Sequence, residues 1–167
     1  MCRYYFENYS VRTIDFAKNR LTGSIPTSFL ILVPTKAKIS VDLSMNNLSG
    51  GIPSSLDRLK YFIIYLRGNR ISELSESLCN SNNDYWMKGY VENFKCNAIL
   101  CPPGTYHAFG RQTSINSPCK ECVSSLYFGQ ESCLLDDFSA SNTMAMDKPT
   151  LISVTLWVLF EMLFLLA

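Results

Sequence analysis

The sequence predicts an α/β solenoid of three short parallel strands with convex loops and 3-10 turns. A small disulfide-rich module and a C-terminal apolar helix follow it. Three observations carry this. A stretch of about a dozen residues recurs, with its asparagines at Asn19, Asn46 and Asn69, 27 and then 23 residues apart. Self-similarity at a period of about 20–29 residues is a mark of stacked coils. Six of the seven cysteines crowd between Cys79 and Cys133. The final residues, Leu151–Ala167, form a run dominated by apolar side chains.

The clearest unit is Val41 to Pro53, VDLSMNNLSGGIP. Upstream, Ile14 to Pro26 reads IDFAKNRLTGSIP, and downstream Ile64 to Leu74 reads IYLRGNRISEL. These stretches resemble a leucine-rich repeat of the plant type, with the pattern L-x-L-x-x-N-x-L-x-G-x-I-P. The resemblance implies a role for each position. Val41, Leu43 and Leu48 point into the core. Asn46, like Asn19 and Asn69, turns inward and hydrogen-bonds backbone groups that no sheet partner can reach. Unpaired, such buried groups would cost about 1–3 kcal/mol each. Gly50 permits a turn, and Ile52-Pro53 begins the convex side. The longer first period comes from extra residues in Leu30–Lys38, around Pro34. The third unit lacks G-x-I-P and has Glu73, Leu74 and Ser75 there, so it is read as the last coil.

Composition excludes some partners. Lys and Arg number 15 against 14 Asp and Glu, so no basic face for nucleic acid is implied. Residues 1–10, MCRYYFENYS, lack the apolar run and cleavage site of a signal peptide. Repeats begin at Val11, without the capping unit that covers a solenoid end. The expectation is a truncated piece of a longer secreted protein. The alternative is that Tyr4, Tyr5 and Phe6 make a cap.

Residues 11–79 are the repeats. Alternation along each strand places Ile14 and Phe16, Val41 and Leu43, and Ile64 and Leu66 inward. It places Thr13, Asp15 and Ala17, then Ser40, Asp42 and Ser44, then Ile63, Tyr65 and Arg67 on the concave face. Asp15 and Asp42 are expected to stack, with Arg67 one coil on. Solenoids bind ligands on such faces. The candidate ligand-binding set is therefore Thr13, Asp15, Ser40, Asp42, Ser44, Ile63, Tyr65 and Arg67. A plain solvated face is the competing reading for any one of them.

Residues 80–95 open with polar turn formers and then supply Tyr85, Trp86, Tyr90 and Phe94. They read as a C-terminal cap, with the aromatics as packing in preference to a sugar platform. Residues 96–133 are turn-rich and poor in aliphatics, so they need cross-links. CPPGTY followed by SPCKEC and a later cysteine resembles the cysteine-rich modules of ephrin-receptor-like and tumour-necrosis-factor-receptor-like ectodomains. The order of repeats, cap, CNAILCPPGTY and GRQTS resembles secreted or surface leucine-rich repeat proteins of algae and plants, over about Val11–Cys133.

Six cysteines allow 15 pairings. Local order favours Cys79–Cys96, Cys101–Cys119 and Cys122–Cys133, each contributing about 2–4 kcal/mol. Cys2 is left over. Cys96, Cys101, Cys119 and Cys122 would otherwise suit a tetrahedral zinc ion, which leaves Cys79 and Cys133 unexplained. A redox CxxC at Cys119–Cys122 would need a helix N-terminus in a βαβ setting, and Pro118 with its turn-rich surroundings offers none. Asn8 and Asn47 open glycosylation sequons.

No catalytic constellation or cofactor motif stands out, so a non-enzymatic protein without cofactor or bound metal is expected. The lone histidine, His107, reads as a surface residue.

Residues 134–150 are a linker, and 151–167 the apolar tail. Seventeen helical residues span about 25 Å against a hydrocarbon core of about 30 Å. Glu161 adds a penalty near mid-bilayer. Ser139, Ala140, Ser141 and Asn142, then the spacer Thr143–Thr150, match a processed glycolipid-anchor signal. The alternative is a retained helix.

The expected protein is a cell-surface or secreted leucine-rich repeat binder. It would recognise a protein, peptide or glycan and reach the membrane through its tail. A structural wall or adhesion component, or an inhibitor of a wall hydrolase, are the alternatives.

Overall fold

The computed structural model describes residues 13–80 and 85–133. Cys2, Asn8 and the tail 151–167 lie outside them, as does the expected apolar helix. No helix among the described residues is long and apolar enough to cross a membrane.

The concave strands are β1 (Thr13–Asp15), β3 (Lys38–Asp42) and β5 (Tyr61–Tyr65). They pair in parallel in the order β1-β3-β5. Their register places Ser40 beside Thr13 and Ile63, and Asp42 beside Asp15 and Tyr65. A second parallel sheet, not foreseen, joins β2 (Thr22–Ser24), β4 (Asn47–Ile52) and β6 (Arg70–Leu74) in the order β2-β4-β6. It forms because the chain is extended again after each ladder asparagine. Leu48 and Ile71 then bury while Asn47, Ser49 and Ser72 stay exposed. The register shifts between Gly50 and Gly51, where Gly50 has φ 74°.

Each coil bends between its two strands at the residue before the asparagine. Lys18, Met45 and Gly68 all have left-handed backbone there, with φ 55°, 57° and 68°. The asparagine side chains then reach back one coil. The Asn46 amide donates to the carbonyls of Phe16, Leu43 and Ser44 at 2.9, 3.0 and 3.2 Å, and its oxygen accepts the Leu21 N–H at 2.9 Å. The Asn69 oxygen accepts the Leu48 N–H, and its amide donates to Leu43 and Leu66, each at 2.9 Å. Asn19 does less than expected. It is exposed, and the amide bonds described for it go only to Phe16 and Ala17 of its own turn. The reason is position: no coil preceding it is among the described residues. Phe16, expected inward, is 49% exposed for the same reason.

The core runs from Val41, Leu43 and Leu48 through Phe62, Ile64, Leu66 and Ile71. On the convex side a 3-10 helix, Ser54–Arg58, ties down the long first loop. Arg58 donates to the carbonyls of Leu30 and Val33, and Ser55 to that of Thr27.

The far end is closed by two segments. The first holds helices α1 (Ser77–Asn80) and α2 (Tyr90–Phe94). Cys79–Cys96 staples it. Trp86 is fully buried, edge-on to Phe62 at 5.1 Å, and its indole N–H donates to the Leu59 carbonyl. The Met87 thioether accepts the Ile64 N–H at 3.3 Å. That donor sits on the last strand of the sheet, where no further coil among the described residues supplies a carbonyl. Tyr85 stays 57% exposed, against Tyr61.

The second segment is the cysteine-rich one. It has a short antiparallel pair, β7 (Thr105–Tyr106) and β8 (Lys120–Glu121). Cys101–Cys119 and Cys122–Cys133 close it. All six of these thiols are in disulfides, so the zinc and redox alternatives have no free pair. The segment lies against the last coil. Phe128 N–H donates to the Ile71 carbonyl at 2.9 Å, and Gly68 N–H to that of Gly129 at 3.3 Å. It thus completes the edge of β6 as Met87 completes that of β5.

Candidate ligand-binding cleft

The concave strands carry the predicted face, but its third coil is not free. The loop His107–Arg111 of the cysteine-rich segment rests on it. Gly110 makes this possible. It has φ 65°, and a Cβ there would meet the Arg67 Cβ at 2.5 Å and the Gly129 carbonyl at 2.8 Å. The loop is anchored from both sides. Cys101 N–H donates to the Gly110 carbonyl at 2.8 Å and Gln112 N–H to that of Asn97 at 2.7 Å.

His107 holds the loop from within, and the expectation of a surface histidine is wrong. It is 5% exposed. Its Nδ1 accepts the Phe109 N–H at 3.1 Å, which makes Nε2 the donor to the Ser117 hydroxyl at 2.9 Å. Burial lowers its pKa, followed by the charges of Arg111 and Lys120; a hydrogen bond to the Ser117 backbone acts the other way. A neutral imidazole committed in this way anchors the loop and cannot take a proton from Ser117.

Between strands and loop lies a cleft of about 210 Å³, lined by Asp42, Ser44, Tyr65, Arg67, Phe109 and Arg111. Four of these were predicted. Ser44 lines the cleft but is 5% exposed, enclosed where the loop meets the repeats. Arg67 does not continue the Asp15–Asp42 column. Tyr65 stands in that register position, and Arg67 follows two residues on, where its carbonyl accepts the Met45 N–H. Thr13, Asp15, Ser40 and Ile63 lie outside the cleft. Asp15 and Asp42 repeat one local turn, each Oδ1 accepting the N–H two residues on at 2.9 Å.

Phe109 and Arg111 were missed. Phe109 is 60% exposed. The Arg111 guanidinium lies over Tyr65 at 5.3 Å and Tyr90 at 5.9 Å, and its Nη1 is buried without a hydrogen-bond partner among the described residues. Burial draws its pKa below the ordinary value, partly offset by the two tyrosines; an arginine nonetheless stays charged. Arg67 is differently placed, with Nη1 2.7 Å from Glu131 Oε2 and 3.3 Å from the Ala108 carbonyl. Both side chains of this pair are about a third exposed, so it contributes under about 1 kcal/mol. The signal for the docked loop was Gly68. The other coils have Lys18 and Met45 at that turn, whereas a Cβ on Gly68 would stand 2.7 Å from Met45 Sδ of the preceding coil and 2.9 Å from Glu131 Oε1.

The family model of the leucine-rich repeat matches residues 10–32 and 39–59. Neither the curated proteins nor the solved structures hold a match to the chain. With the reach of Asn46 and Asn69 across coils, those matches identify residues 10–59 as leucine-rich repeats.

Proposed function

We propose that the chain is a non-catalytic extracellular or cell-surface binding protein that recognises a protein, peptide or glycan in this cleft. The observation that carries the reading is the joint lining by repeat strands and disulfide loop. Repeat domains commonly mediate protein binding, and a rigid scaffold presenting a loop is a usual design for it. The three disulfides support an oxidising compartment. On this reading the cysteine-rich segment is of the ephrin-receptor-like kind, the repeats are of the plant or algal type, and the tail anchors the chain.

The test is a pulldown from extracellular extract with the full secreted chain and its Phe109→Ala variant. A stoichiometric partner lost with Phe109→Ala supports the reading, and its identity separates receptor-like binding from inhibition of a hydrolase. Retention on insoluble wall material by both forms would replace it with a structural role.

A further inference from the structure

The proposed binding role leaves the ligand's chemistry open, and the cleft narrows it. Arg111 has exchanged part of its water for two aromatic rings, and its Nη1 has no partner among the described residues. Arg111 also lines the cleft, and a cation already partly withdrawn from water gives up less on meeting an incoming carboxylate than a fully hydrated one. Arg67 adds a second positive group on the repeat side of the cleft, partly satisfied by Glu131.

The repeat side also brings negative charge. Asp42 lines the cleft, and Asp15 stands beside it in register on the next strand. Neighbouring strands are about 4.8 Å apart, so two carboxylates flank the approach. A polyuronate, with a negative charge on every sugar, would be repelled there. A ligand with one carboxylate and an adjacent cation meets both signs of charge. The exposed Phe109 ring and Tyr65 accept its apolar atoms.

Resting on the binding role above, we infer that the cleft binds a peptide segment pairing an acidic residue with a neighbouring Lys or Arg. The carboxylate lies against Arg111 and the cation against Asp42, with Asp15 one strand further out. Phe109 and Arg111, from the disulfide loop, set this specificity.

The experiment uses the oxidised full chain and N-acetylated, C-amidated tetrapeptides. The probe is Gly-Asp-Lys-Gly, with Gly-Asn-Lys-Gly and Gly-Asp-Gly-Gly as controls and a uronate trimer as competitor. The site is read from the wild-type Arg111 Nε–H resonance, assigned from its loss in Arg111→Lys, and the affinity of every form, Arg111→Gln included, from isothermal titration calorimetry. The expected result is a saturable shift with Gly-Asp-Lys-Gly, weakened at least about tenfold by Arg111→Gln. Asp42→Asn should weaken that peptide and leave Gly-Asp-Gly-Gly unchanged. Disulfide mapping checks that each variant has folded. An Arg111 signal that stays still, equal binding of the asparagine control, or binding unaffected by Arg111→Gln overturns the inference. A uronate trimer binding as tightly as the peptide, through the same Arg111 shift, also overturns it. If the tetrapeptides fail while Phe109→Ala still abolishes the pulldown, the peptide chemistry falls and the cleft stands. If the pulldown ignores Phe109→Ala, the binding role of the cleft falls.

Discussion

Gly110 and Arg67 approach so closely that a side chain on Gly110 has nowhere to go: an added Cβ would stand 2.5 Å from the Arg67 Cβ. These residues are far apart in sequence, and their contact fixes the disulfide loop on the last coil. Gly110→Ala combines that clash with a left-handed backbone, which costs an L-residue about 1–2 kcal/mol by itself. The expected result is a loss of about 2 kcal/mol or more in denaturant unfolding, with Phe109 displaced from the cleft. Stability within about 0.5 kcal/mol of wild type would show that the loop can dock otherwise.

The ladder should not be uniform. Asn46→Ala and Asn69→Ala each leave buried backbone groups unpaired and should cost about 1–3 kcal/mol. Asn19→Ala should cost under about 0.5 kcal/mol, as exposed positions do, because the described bonds of Asn19 stay within its own turn. Equal effects at all three positions in chemical denaturation would contradict the geometry.

His107 makes stability pH-dependent. Its folded-state pKa is lowered, chiefly by burial, so the unfolded chain binds the proton more readily. Stability is then full above about pH 6.5, the unfolded value. It falls as pH drops below that and levels off beneath the folded value. Protonation also removes Nδ1 as acceptor for the Phe109 N–H. Melting temperature followed from pH 7.5 to 5 should decline in the wild type and flatten in His107→Gln. The chain has one histidine, so an unchanged slope in that variant would remove His107 as the cause.

Trp86→Ala should cost about 3–5 kcal/mol, as deletion of a large buried aromatic does. It opens the contact with Phe62 and removes the donor to the Leu59 carbonyl. Hydrogen exchange should show the β5 amides losing protection before those of β3. Simultaneous loss along all coils would mean that the cap does not act locally.

The repeats were legible because stacking coils impose a residue type at a fixed interval. Asn46 must be an asparagine to serve several backbone groups at once, and Val41 and Leu43 must be apolar to fill the core. The exposure of Phe16 and Asn19 was not legible, because a single repeat does not say what flanks it. The second sheet was missed because Gly50 suggested a turn where the chain is largely extended. The docked loop was hidden for a different reason. Its contacts join Arg67 to Gly110 and Glu131 over long separations, and neither periodicity nor cysteine order reports which coil a polar loop will meet. The four strand residues of the cleft were visible in the alternation; Phe109 and Arg111 looked like ordinary loop residues.

The sulfur of Met87 and the backbone of Phe128 have a consequence for self-association. An open strand edge is a template on which a second chain can add its own strand, and natural sheets guard against it. Here the Ile64 N–H is taken by the Met87 thioether and the Ile71 carbonyl by the Phe128 N–H. On each sheet of the last coil, one group that another solenoid would need is therefore already taken. Head-to-tail growth of copies into a filament, the hazard of any heterologous contact that does not close, is opposed at this end by both closing segments, one of which also builds the cleft.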